Sequence, residues 1–238
     1  MSIPLQIDKL IFINKGVISD YFIADQNWQL LSPLLFDKEV YSRWDHTEGV
    51  DGVKVIRMAL YTRIITDLCA ILFDRDKRSG SILKVISALE DKAVVKELRK
   101  RFCMPTGVTI VNDLDESETL CLTKQIQQEE IIRKENTFDR VLPEVISGYK
   151  KLEESELAQR IKSARSKIYA HKEIQTVDGE RKYYDGGEFG LTYRDAEKAL
   201  DETREIIFNS YLLLTNSSYS LDSFLNHHTK VANEYWSK

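Results

Sequence analysis

Arg165 and His171 stand six positions apart in the segment Ser163-Ala-Arg-Ser-Lys-Ile-Tyr-Ala-His-Lys172. Arginine grips phosphate through a planar fork of donors, and histidine is the side chain that gives and takes protons near neutral pH. Together they can break RNA without a metal. A base removes the 2′-hydroxyl proton, an acid protonates the leaving 5′-oxygen, and the guanidinium holds the charge that builds on the phosphate oxygens. Around the pair runs a basic strip, Arg160, Lys162, Arg165, Lys167 and Lys172, with no acidic residue from Gln159 to Lys172. Such a strip attracts a phosphate backbone; a solvated helix face is its plainer reading.

The apolar spacing predicts a helix over Glu156 to Lys172, with Leu157, Ile161, Ala164 and Ile168 on one stripe. At about 100° per residue, Arg165 and His171 flank that stripe roughly 120° apart. One straight helix would hold the two side chains apart, so a joint site requires a bend near Tyr169 or a second copy of the helix facing the first. A two-fold dimer packed on this face brings both pairs into one cleft.

The remaining elements read as helix almost throughout: Leu5 to Asn14, Ile18 to Leu35 with Pro33 near its end, Val53 to Phe73, Ile82 to Leu89 after Ser79-Gly-Ser81, and Ala93 to Phe102 capped by Asp91. Capping candidates from Asn112 to Ser117 open a long charged helix that Pro143 is expected to break near Val141. Thr192 caps a helix to about Leu214, and Asp222 one toward Tyr235. Between Glu173 and Leu191 fall four of the ten glycines, and Val177-Asp-Gly-Glu180 suits a tight turn. The fold class is therefore all-α: a multi-helix bundle in one domain over residues 1–238, with a short hairpin or irregular insertion before the penultimate long helix.

In that insertion Arg181, Lys182, Tyr183 and Tyr184 set cations beside rings. The combination suits a single strand of nucleic acid, or a hairpin packing its tyrosines on a helix. The Asp185-Gly-Gly-Glu188 run is too short and acidic to cradle phosphate. Arg63 and Asp67, four apart, form a helical ion pair. His227 and His228 are adjacent, point to different helix faces and cannot chelate together. No His, Cys and carboxylate spacing suggests zinc, so neither metal nor cofactor is expected. A formal charge of -4 and pI near 5.7 exclude a general polyanion binder. Cys69, Cys103 and Cys121, odd in number and far apart, read as buried reduced thiols of a cytoplasmic protein. Asp8 and Lys9 interrupt the first candidate leader, and the uncharged run Ile206 to Leu221 is too short and polar to span a bilayer.

The string Arg165-Ser-Lys-Ile-Tyr-Ala-His171, with a long helix before it and an irregular segment and long helix after it, resembles the HEPN superfamily, and most of all its abortive-infection AbiU branch, with the helix around Arg57 to Asp67 upstream. The motif covers about ten residues, and the layout extends the resemblance over a core of roughly residues 50–215 with an N-terminal helical extension. The resemblance implies a homodimeric, metal-independent endoribonuclease of phage defence, or a toxin with room for an antitoxin partner. Arg165 would hold phosphate charge, His171 shuttle the proton, and the product carry a 2′,3′-cyclic phosphate. Ser166, Lys167 and Tyr169 would support the site, and Arg160, Lys162, Lys172, Arg181, Lys182 and Tyr183 would contact RNA. Directly after the arginine the family often has Asn, Asp or His; this chain has Ser166, which still offers a hydroxyl. The alternative is a HEPN-like module that grips a nucleotide or a protein partner without cutting.

Overall fold

The computed structural model describes residues 2–107, 116–170, 174–177, 180–183 and 189–237. Its helices are α1 (Ile3–Phe36), α2 (Lys38–Tyr41), α3 (Gly49–Phe73), α4 (Ile82–Leu89), α5 (Lys92–Phe102), α6 (Glu116–Glu154), α7 (Glu156–Ala164), α8 (Tyr193–Thr215) and α9 (Leu221–Trp236), with a 3-10 turn at Ser42–Trp44. Among the described residues the bundle is all-α apart from one antiparallel hairpin, β1 (Ile174–Val177) with β2 (Glu180–Tyr183), which sits before the penultimate long helix as expected. Val177 pairs with Glu180, so a two-residue connection joins the strands.

α1 is one helix where the sequence suggests two. Its 34 residues run through Gly16, and at 1.5 Å per residue it is about 50 Å long. Ile7, Leu10, Asn14, Val17, Ile18, Tyr21, Ala24, Asp25, Trp28, Leu31 and Leu34 form its buried face. Burial on both sides of Gly16 outweighs the roughly 1 kcal/mol that a mid-helix glycine costs. This face packs on α3, α4, α5, α8 and α9.

α6 corrects a second expectation, because it passes straight through Pro143. Proline removes one backbone hydrogen bond and crowds the preceding turn. Here its ring is exposed, while Phe138, Val141, Val145, Tyr149 and Leu152 are buried on either side. Those contacts on α4, α5, α7 and α8 hold both halves in line. Local chemistry works where it was legible: Asp91 accepts from the backbone of Ala93 and Val94, and Thr192 and Asp195 form a reciprocal capping box. Asn112 to Asp115 lie outside the described residues.

α9 is tied to α1 by polar groups buried among aromatics. His228 Nδ1 lies 2.7 Å from Asp25 Oδ2, with side chains 4% and 2% exposed. Phe22 stacks on Phe224 at 4.9 Å and meets the His228 ring edge-on at 5.8 Å. Trp236 Nε1 donates to the Leu30 carbonyl at 3.0 Å. Arg63 and Asp67 pair at 2.7 Å, as their spacing implied. No helix of the described residues is long and apolar enough to cross a membrane.

Candidate functional site

α7 starts at Ser155, whose hydroxyl accepts from the Ala158 amide at 3.1 Å and separates it from α6 by one residue. Leu157, Ala158, Ile161 and Ala164 are buried, so this part of the expected stripe faces the core. After Ala164 the chain departs from the expected helix: Arg165–Ala170 is a π-helical turn. Its wider i to i+5 pattern carries each residue less than 100° around the axis, so α-helical arithmetic no longer sets directions beyond Arg165. Single π turns are frequent at functional sites.

Arg165 is exposed immediately after the fully buried Ala164, and Ser166 and Lys167 are half-buried. No ion pair among the described residues holds the Arg165 guanidinium. The turn packs against α3. There Cys69 registers the local field: burial pushes its thiol up, while Arg165 and Lys162 pull against that shift.

Two further cations of the strip, Lys162 and Arg160, are engaged within the fold. Lys162 Nζ lies 4.1 Å above the Phe73 ring and 3.4 Å from the Glu153 carbonyl. Arg160 Nη2 donates to Asp195 Oδ1 at 2.7 Å, while Asp195 Oδ2 accepts from the Thr192 amide at 2.7 Å and hydroxyl at 2.9 Å. Tyr61 of α3 donates to the Thr192 carbonyl at 3.0 Å and meets Tyr193 edge-on at 5.0 Å. The start of α8 is thus fastened to α3 and α7.

The structure therefore groups Lys162, Arg165, Ser166 and Lys167 along one short stretch and assigns Arg160 to Asp195, a partner the sequence reading did not anticipate. Thr192 caps α8 as expected, Asp195 completes the capping box with it, and the further partner of Asp195, Arg160, is set only by tertiary packing. Tyr169 has its backbone in the π-helical turn; His171 and Lys172 lie outside the described residues. Arg181 is exposed on β2 opposite Thr176, and Lys182 and Tyr183 pair in register with Gln175 and Ile174. Among the described residues no group of His, Cys, Asp and Glu could hold a metal ion.

The cysteines differ from one another, against the expectation that all are buried: Cys69 is buried, Cys103 half-buried and Cys121 exposed, all as free thiols. Cys69 lies on α3, Cys121 on α6, and Cys103 is the residue that ends α5. In the folded protein, iodoacetamide near neutral pH is expected to modify Cys121 first, Cys103 more slowly and Cys69 only on unfolding, an order that peptide mass spectrometry reads directly.

The described residues thus form a helical bundle with an exposed arginine at a π-helical turn, an insertion after it and a capped long helix beyond. The HEPN_AbiU2 family model, described as AbiU2, matches residues 19–235. The chain belongs to that family and is a HEPN-like abortive-infection module. No curated protein and no solved structure matches it.

Proposed function

We propose that this chain is a metal-independent endoribonuclease that works as a homodimer in cytoplasmic phage defence or as a toxin, with Arg165 and His171 as its catalytic residues. The observation that carries the reading is the setting of Arg165. This guanidinium stands exposed on a π turn with no ion pair among the described residues, in a stretch that also carries Lys162 and Lys167.

In this reading His171 of one protomer takes the 2′-hydroxyl proton. O2′ attacks phosphorus, and the same imidazole then gives the proton to the leaving 5′-oxygen, so that one His171 shuttles it as base and then acid. The products are a 2′,3′-cyclic phosphate and a 5′-hydroxyl, and the imidazole ends neutral as it began. Arg165 offsets the charge on the non-bridging oxygens. Ser166, Lys167 and Tyr169 orient the turn. Lys162, Lys172, Arg181, Lys182 and Tyr183 meet the strand, while Arg160, tied to Asp195, contributes charge at a distance. An antitoxin that covers the same groove would silence the enzyme.

The second reading is a non-catalytic module that holds a nucleotide or protein partner. It is favoured by the prior engagement of Arg160 and Lys162 within the fold, which leaves fewer cations for a long strand. Incubation with single-stranded RNA in the presence of EDTA separates the two. The enzyme yields fragments with cyclic phosphate ends, and His171→Ala lowers the rate by about 100- to 10,000-fold. Equal fragment yields from the parent and His171→Ala proteins leave the module reading in place.

A further inference from the structure

A cleft lies where the chain turns after α2 and where α9 ends. It measures about 340 Å³ and is lined by Val40, Arg43, Trp44, Tyr235 and Trp236. Each wall is held in place by a different contact. A Cβ on Gly49 would come within 2.8 Å of Trp44 Cε3, so glycine there is what lets the indole lie on the first turn of α3. Trp236 Nε1 is fixed to the Leu30 carbonyl, and Tyr235 stands edge-on to the Trp236 ring at 4.8 Å and 87°. Arg43 Nη1 donates to the Trp236 carbonyl at 2.5 Å, which uses one of the five guanidinium N–H groups. Despite these restraints Trp44 is 36% and Tyr235 62% exposed.

Rigid, half-exposed rings beside a guanidinium suit a flat ligand that carries negative charge, because each part is already positioned before binding. Arg43 in the wall repels the methylated ammonium groups that aromatic cages otherwise take. Glu39, Asp45, Glu48 and Glu234, close by in sequence, oppose a long polyanion. The volume falls at the low end of the roughly 300–1,000 Å³ of ligand pockets. We propose that this cleft binds one nucleotide unit, its base stacked on Trp44 and Tyr235 and its phosphate on Arg43. The unit is either a free mononucleotide or the terminal nucleotide of an RNA strand. Binding here is independent of whether Arg165 and His171 cut RNA.

The indole N–H resonances of the full chain read this directly, since Trp28, Trp44 and Trp236 are its three tryptophans. Titration with AMP is expected to shift the Trp44 and Trp236 signals and leave Trp28 in place, while ribose 5-phosphate shifts none. Trp44→Leu weakens AMP binding by about tenfold or more. Tyr235→Ser serves the same purpose should Trp44→Leu fail to fold. Arg43→Met weakens AMP but not adenosine. A 5′-phosphorylated trinucleotide that binds more tightly than AMP identifies the strand end as the ligand, and the reverse order identifies the free nucleotide. The proposal is overturned if neither probe moves Trp44 at millimolar concentration, if both ring variants bind AMP as the parent does, or if tetramethylammonium occupies the cleft in place of AMP.

Discussion

Arg165→Ala is expected to slow RNA cleavage by about 100- to 1,000-fold, the loss typical when one preorganised group facing a developing anion is removed. Its melting temperature should stay within about 2 °C of the parent, because the side chain is exposed. Ala164, one residue earlier, supplies the packing. Arg165→Lys should recover little: a point charge on a flexible stem cannot present two parallel donors to a phosphate. Mixing two inactive proteins makes the test sharper. If each site takes its arginine from one protomer and its histidine from the other, equal amounts of Arg165→Ala and His171→Ala re-form one intact site in half of the dimers. Roughly a quarter of the parent rate then returns. If both groups act within one protomer, mixing restores nothing. Initial rates on a labelled RNA, with calorimetric melting of each variant, provide the measurement.

Local chemistry made much of the scaffold readable. A carboxylate before an apolar run, as at Asp91, satisfies amides that any helix start leaves open, and the Thr192 and Asp195 pair does so reciprocally. The two-residue link between Val177 and Glu180 followed from Asp178 and Gly179, which suit the turn a twisted hairpin needs. Tertiary packing overrode the same rules at Gly16 and Pro143, where buried neighbours on both sides hold a helix through a residue that would end it in isolation. The π-helical turn after Ala164 had no sequence signal, since its apolar spacing up to that point is that of an ordinary helix. Partnerships of long reach were equally hidden. Arg160 to Asp195, and the meeting of Trp44 with Tyr235 and Trp236, depend on how helices cross and not on what lies beside each residue.

His228 and Asp25 are another such pair, 203 positions apart, and they support the largest stability effect expected for a single substitution of a polar residue. Sequence spacing argued only that His227 and His228 could not share a metal; it had no means of showing that α1 would bring a carboxylate to one of them. Both side chains are almost wholly buried, Gln29 Nε2 reaches Asp25 Oδ1 at 3.5 Å, and Phe22 closes over the imidazole. Water cannot replace a lost partner in that setting, so Asp25→Ala should cost about 3 kcal/mol, the sum of a lost hydrogen bond and an imidazole left buried without its acceptor. His228→Ala opens a hole and strands the carboxylate, with a cost of similar size. The double variant should lose less than the sum of the two, because the second substitution removes the group that the first left unsatisfied. Asp25→Asn distinguishes charge from hydrogen bonding: it keeps an acceptor at nearly the same place, so a loss as large as that of Asp25→Ala would assign the effect to the carboxylate charge. Urea unfolding of the parent and the four variants checks all of these. Additive losses in the double variant would mean that α9 is held to α1 by the aromatic contacts of Phe22, Phe224 and Trp236 and not by the buried pair.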